Sequence, residues 1–371
     1  MRRNPMTKKP VILFAINGLG MGNSTRCHVV IQRLAAEAEV HVITSGNGLF
    51  FLKDRLEIAS LSATPPLAYA FSGDGVNALG TLASVRTLRG ALREKKVRLE
   101  ALLNRLNPDL VVTDSEYVIR PILRRRIPLA GINNSDVVVT EYFRRKKMPA
   151  SIRAHFWGIE YSDYLLHRMK WKLAVSPSPF ADTPRSDVFK RVGLIVRDGA
   201  RETAQERAGK PAPLPQAIDR IVVMLSGSAF ASQIDALQTL PWKVDVIGRD
   251  GVSGGNVTYH GKIRESLERV RSAGALVING GFSSVSEAVA MMRPVYVIPV
   301  PNHAEQLINA LMVRDIGAGD VASTGTIIQR LKDAYRLNRW DGVKENRLPV
   351  NFNGGDEAAE LLLELLHGVN S

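Results

Sequence analysis

The sequence predicts an α/β protein built from two parallel-sheet domains that face each other across a cleft. Three observations carry this. Strand-like apolar runs alternate with helix-like stretches, which is the pattern of βαβ units. The alternation restarts in the second half. Between the halves lies RDGARETAQERAGKPAPLPQA, Arg197–Ala217, with Pro, Ala and charge but little apolar periodicity, as in a linker. The 371 residues are enough for two full cores.

The elements follow in order. Residues 1–10 read as a loose basic tail. VILFAI, Val11–Ile16, is the first strand. It is too short for the ~7–15-residue apolar core of a signal peptide, and glycines follow it in place of a cleavage site. A helix over Ser24–Glu37, a strand Val40–Thr44, a long helix Leu82–Leu106 and a strand Leu110–Thr113 come next. The second series runs through strands Ile221–Leu225, Val244–Ile247, Ala275–Ile278 and Val295–Val300. Its helices lie around Gln233–Leu240, Ile263–Ala273, Ser284–Met292 and Ala304–Val313. An amphipathic helix, Asp356–His367, closes the chain. The reading is therefore two Rossmann-like domains: residues 1–195 as the first, basic domain, 196–217 as linker, 218–355 as the second domain, and 356–371 as a terminal helix.

Composition is ordinary for a globular chain, with 45% hydrophobic and 23% charged residues and a mean hydropathy of −0.04. No run approaches the ~18 apolar residues of a membrane span. The lone Cys27 excludes an internal disulfide and a cysteine zinc site. A cytoplasmic location is expected, with or without peripheral contact at the inner membrane face.

Charge is uneven. Before Ile195 there are 30 basic and 16 acidic residues; from Ile195 on, 19 and 20. The excess comes in clusters: Arg124, Arg125, Arg126; Arg144, Arg145, Lys146, Lys147; and Arg168, Lys170, Lys172. Basic clusters are often only solvated surface. Their confinement to one half favours an anionic partner: a phosphorylated molecule or an anionic membrane. No nucleic-acid module accompanies them, so nucleic acid is not expected.

In open parallel sheets, ligands bind at the carboxyl ends of the strands. One such loop is NGGFSSVSEA, Asn279–Ala288. Gly280 and Gly281 let a ligand approach the backbone. Ser283 or Ser284 can cap the following helix, whose free N–H groups and dipole suit an anion. Glu287 lies one turn into that helix. On this segment alone, a phosphate site and a plain helix start serve equally well.

The next segment is PVYVIPVPNHAEQLINA, Pro294–Ala310. Together the two resemble the donor-site signature of the UDP-dependent glycosyltransferases of the GT-B fold. That group includes natural-product enzymes and the enzyme that adds N-acetylglucosamine to the lipid-linked peptidoglycan precursor. Gly281, Ser284, Glu287, Ala288, Pro294, Pro299, Glu305, Gln306, Asn309 and Ala310 match the pattern over about thirty residues, with Asn279 where plant members carry His. The resemblance implies that Glu287 binds ribose hydroxyls. It places Gly280, Gly281, Ser283 and Ser284 on the diphosphate, with Ser226, Gly227 and Ser228 in a second diphosphate loop. It puts Glu305 and Gln306, with His303 beside them, on the donor sugar. Tyr259–Lys262, including His260 and Lys262, falls where the family grips the base. Arg249 is either a further charge near the diphosphate or a surface residue.

The N-terminal loop NGLGMGNSTR, Asn17–Arg26, gives GxGxG between strand and helix. A dinucleotide fingerprint wants a further glycine at Asn23 and an acid ending the second strand; neither is present, so NAD ranks below a sugar nucleotide. In many GT-B enzymes this loop ends in Gly-His, and the histidine is the base. Here Gly20 and Gly22 lead to Asn23, which cannot deprotonate an acceptor at neutral pH but can position one. Asp114, then Glu116, at the end of a strand, are the candidate bases. Asn133 and Asn134 belong to the same acceptor rim.

The expected function is sugar transfer from a UDP-sugar, or second a dTDP-sugar, to an acceptor hydroxyl or amine with inversion. The acceptor is a small or lipid-linked molecule, anionic or membrane-associated. No cofactor and no metal are expected. The alternatives are a sugar-nucleotide epimerase or hydrolase of the same fold, or a non-catalytic sugar-nucleotide-binding protein.

Overall fold

The computed structural model describes residues 9–66, 71–72, 75–76, 85–225 and 234–368. The first sheet contains β1 (Val11–Ile16), β2 (Glu39–Thr44), β3 (Ser60–Ala63), β6 (Leu110–Asp114), β7 (Leu129–Ile132), β8 (Leu173–Pro177) and β9 (Phe189–Val192). Two short strands, β4 (Phe71–Ser72) and β5 (Gly75–Val76), pair only with each other. The large sheet is parallel throughout, in the order β3-β2-β1-β6-β7-β8-β9. The second sheet holds β10 (Arg220–Met224), β11 (Lys243–Ile247), β12 (Val257–Tyr259), β13 (Ala275–Asn279), β14 (Val295–Ile298) and β15 (Gly319–Val321). It is also parallel, in the order β12-β11-β10-β13-β14-β15. Each sheet reverses direction at its first strand, so the loops after β1 and β6, and after β10 and β13, flank the crevices where such sheets bind ligands.

β1 shows why these residues make this sheet. VILFAI is buried at every position, as a parallel strand covered on both faces must be. Ile12, Phe14 and Ile16 join Val30, Ile31 and Leu34 of the Gly22–Leu34 helix on one face. Leu13 and Ala15 meet Leu99 and Leu103 of the Val85–Leu106 helix on the other. Cys27, Ile31 and Leu34 sit at helical spacing on the buried side of the Gly22–Leu34 helix.

The lobes touch along a continuous apolar cluster that includes Val138 and Phe156 of the first and Val285 and Ile308 of the second. The stretch read as a linker contains a helix, Asp198–Arg207, whose buried residues are small: Ala200, Thr203 and Ala204. The terminal helix, Gly354–His367, returns to the first lobe. Its Asp356 accepts from Arg33 Nε at 2.9 Å. The chain thus crosses between the lobes twice, and the crossings lie side by side. Leu194 N donates to Asn351 O at 2.8 Å, and Gly193 N to Glu357 Oε2 at 2.8 Å.

Candidate functional site

The Asn279–Ala288 loop is built as two unlike glycines. Gly280 is buried against the Ala304–Ile316 helix, and a Cβ there would lie 2.3 Å from Gln306 O. Gly281 is the N-cap of the Phe282–Ala290 helix, has no side-chain cap, and faces open space. The first-turn amides of this helix are therefore presented to the cleft without a side-chain acceptor. Asn309 ties the two halves of the signature together: its Nδ2 donates to Gly280 O at 2.8 Å. The Asn309–Ala310 end of the second segment thus supports the glycine turn of the first.

Across the cleft stands the Asn17–Arg26 loop. A Cβ on Gly18 would collide with Ser45 O at 1.7 Å, while Gly20 faces open space. Ser283 Oγ donates to Gly22 O at 2.9 Å, so the two glycine loops meet. Asn23 Nδ2 donates back to Asn17 O at 3.3 Å, bracing its own loop.

The two candidate bases are committed elsewhere. Asp114 is fully buried. Arg26 holds it through Nε–Oδ2 and Nη2–Oδ1, both 2.5 Å, and Cys27 Sγ donates to Oδ2 at 3.2 Å. Burial, then the charge of Asp114, pushes the Cys27 thiol well above its usual range. Glu116 is buried, pairs with Lys95, and accepts from the N–H groups of Tyr117 and Val118 at 3.0 Å. Neither carboxylate is placed to take a proton from an acceptor in the cleft. The strand-end acids instead fix the rim, where Ser115 adopts φ 52°.

Glu287 is likewise engaged. It is 7% exposed, and both its oxygens are held by Arg197, Nε–Oε1 at 2.6 Å and Nη2–Oε2 at 2.8 Å. Each oxygen keeps a further lone pair for a hydroxyl. Arg197 lay in the stretch read as linker, and no spacing signal connects it to Glu287.

Other positions divide in the same way. His260 Nε2 lies 2.7 Å from Asp245 Oδ1, inside its own lobe. Lys262 reaches across to Asn47 and lies 4.9 Å from the Phe50 ring centre. Arg249 is half-buried and its backbone bridges to Gly261. Ser284 is half-buried at the helix start. Gln306 Oε1 accepts from Val300 N at 3.0 Å, closing the proline-bounded turn. Ser226, Gly227 and Ser228 lie outside the described residues.

The acceptor rim meets the second lobe directly. Asn134 Nδ2 donates to Glu305 Oε1 at 3.1 Å, and Asn133 Nδ2 to Asp163 Oδ2 at 2.8 Å. Beside them lies a group the sequence reading did not assemble: His155, Glu160 and His303. His155 and His303 face each other from opposite lobes with ring centres 4.7 Å apart. Burial, then His303, pushes His155 down to about 4. Burial, then the carboxylates of Glu305 and Asp163, pushes Glu160 well above its usual range. Low-periodicity segments from separate lobes supply these residues, so no local pattern reveals them.

The glycosyl transferase family 1 model matches residues 10–154 and 212–334. An uncharacterized glycosyltransferase of Methanosarcina acetivorans is 23% identical over 360 residues, spanning 91% of this chain and 92% of the relative. Two solved structures show the same fold. MurG of Acinetobacter baumannii superposes with a TM-score of 0.55 at 15% identity, covering 96% of this chain and 99% of that one. The Streptomyces sp. SF2575 glycosyltransferase SsfS6, complexed with thymidine diphosphate, gives 0.56 at 15%, covering 97% and 99%. Two facing Rossmann-like lobes, a glycine-turn helix start opening on the cleft and a family match over most of its length lead to one conclusion: this chain belongs to glycosyl transferase family 1 and is a glycosyltransferase of the GT-B fold.

Proposed function

We propose that the chain transfers a sugar from a nucleoside diphosphate donor, UDP-sugar first and dTDP-sugar second, to an acceptor hydroxyl or amine with inversion. One observation carries this reading. The uncapped first turn at Gly281 opens on the cleft directly opposite the Gly20–Gly22 loop. Amides there would meet the charge that develops on the departing diphosphate, so that step requires no metal. The acceptor oxygen or nitrogen bonds to the anomeric carbon as the bond to the diphosphate breaks on the opposite face; that bond's electron pair leaves with the diphosphate, and the acceptor's proton passes to water in the cleft. Glu287 would take the ribose hydroxyls while retaining Arg197. Glu305, beside Asn134, would face the donor sugar. The thymidine diphosphate bound to SsfS6 supports a pyrimidine nucleotide.

The acceptor is anionic or presented at an anionic membrane. No helix among the described residues is long and apolar enough to cross a membrane. Phe143, Trp157 and Ile159 are exposed, and the first two rings lie 6.0 Å apart. Arg144, Lys146 and Lys147 are exposed beside Phe143 in the chain. An apolar patch edged by cations suits peripheral contact with acidic lipid.

The test is thermal stabilisation by nucleotides, since a ligand of the folded state adds RT ln(1 + [L]/Kd). UDP or dTDP should raise the melting temperature more than ADP or GDP. If neither pyrimidine nucleotide raises it, the donor assignment fails. For the acceptor side, pelleting with anionic vesicles should fall as salt rises; equal binding to neutral vesicles would remove the membrane reading.

A further inference from the structure

We propose that His155, Glu160 and His303 form a binding site for a divalent transition cation, zinc by its donor chemistry, that links the two lobes beside the cleft. The proposal goes beyond the transferase reading and does not depend on it.

Local structure brings the first two ligands together. His155 ends the Ala150–His155 helix, and Phe156–Glu160 continues it as a π-helical turn. In an α-helix, residues five apart point about 140° away from each other. A π turn closes over five residues and brings them back to one face. Here His155 Nδ1 and Glu160 Oε1 are 3.4 Å apart. Ligands about 2.0–2.1 Å from a tetrahedral ion are separated by about that distance. π turns recur at functional sites because the extra residue costs helix geometry.

The third ligand comes from the other lobe. His303 precedes the Ala304–Ile316 helix. Ligand atoms of all three residues lie within 4.8 Å of one another. A modest swing of the His303 ring would close the set. The imidazole nitrogens are only loosely engaged: Ala304 N approaches His155 Nδ1 at 3.4 Å, and Gln306 N approaches His303 Nδ1 at 3.5 Å. Both lie at the outer limit of a hydrogen bond.

Charge supports a cation. Glu160 is a buried carboxyl group whose nearest basic atom among the described residues is His155 Nδ1, at 3.4 Å on a ring that burial keeps neutral, so no protein cation is set against it. Buried carboxylates are otherwise found paired with a cation or on a metal. Two imidazoles and one carboxylate are a three-ligand set that zinc accepts, with a fourth position left open. The ion would lie at the Glu305 end of the cleft, bound by His155 and Glu160 of one lobe and His303 of the other, and would act by holding the lobes together.

The experiment uses the full chain, stripped with a chelator and titrated with zinc by calorimetry, with cobalt(II) as a spectroscopic probe. Binding of one ion per chain is expected, with a rise in melting temperature and a visible cobalt spectrum of nitrogen and oxygen donors. His303→Ala and Glu160→Gln should each weaken binding by more than the roughly 10–100-fold that loss of an outer-shell partner costs. Should His303→Ala unfold, His155→Asn gives the same readout from the other lobe. Zinc affinity unchanged in the folded variants, or no binding by the parent chain, overturns the site. UDP stabilisation measured on the same stripped protein keeps the two outcomes separate, because intact nucleotide binding without zinc binding sinks the metal site alone.

Discussion

Arg197 grips Glu287 through both carboxylate oxygens, at 2.6 and 2.8 Å, and so fastens the connection between the sheets to the helix that opens on the cleft. Both side chains are largely buried, at 13% and 9% exposure. Removing one partner of such a pair leaves a buried charge unpaired, which costs about 3–5 kcal/mol. Arg197→Ala should therefore lower the melting temperature more than Arg197→Met combined with Glu287→Leu. Nucleotide binding should vanish in the double variant and in Glu287→Ala. A Glu287→Ala chain that binds UDP as the parent does would leave Glu287 with a purely structural role.

The pairing of Arg26 with Asp114 makes a contrasting prediction. Asp114→Asn removes a charge from a buried bidentate pair, so folding stability should drop by about 3–5 kcal/mol. The protein that remains folded should keep its nucleotide affinity. Chemical denaturation read beside nucleotide titration separates the two effects. Unchanged stability with a selective loss of turnover would restore Asp114 as the base.

The two glycines of the Asn279–Ala288 loop should respond oppositely. Gly280→Ala drives a methyl against the Gln306 carbonyl and should destabilise the chain by about 1–3 kcal/mol, as overpacking does. Gly281→Ala adds a methyl to open space. It should leave the melting temperature nearly unchanged while weakening diphosphate binding several-fold. Equal effects at both positions would mean that the loop serves packing alone.

Acid should destabilise the first lobe through His28. This ring is buried against Phe51. Burial, then the charge of Arg55, lowers its pKa below the ordinary 6.5. The folded state then binds fewer protons than the unfolded state just below pH 6.5. Stability contributed by the neutral ring is present above that value and is lost as pH falls through the window beneath it. Glu57 is held below its ordinary 4.5 and adds a loss of the same sign at still lower pH. His28→Gln should flatten the slope of stability just below pH 6.5. Denaturant midpoints across that range measure it, and an unaltered slope refutes the assignment.

The fold was legible wherever an apolar run stood alone. VILFAI and Ala275–Ile278 read as strands because burial on both faces leaves no polar position to blur them, and Val244–Ile247 reads as one despite Asp245, which Arg220 and His260 engage. Leu129–Ile132 and Phe189–Val192 did not, since LAGI contains glycine and FKRV carries two charges on a half-covered edge. The site was legible as two glycine turns, because such turns are local. Arg197, His155 and Glu160 were not, because what selects them is a partner in another lobe. Asp114 and Glu116 show the converse. An acid at a strand's end looks the same in sequence whether it faces a substrate or, as here, an arginine or lysine behind the sheet.

The paired crossings at Gly193–Leu194 and Asn351–Glu357 have a mechanical meaning. A single tether lets one body swivel about the other in any direction. Two tethers bonded to each other act as the pins of a door. They leave swinging about one line as the easy motion and oppose twisting. Whatever opens or shuts the cleft therefore brings Gly22 and Ser283 apart and back along a repeatable arc, so the two glycine loops return to the same alignment at each closure.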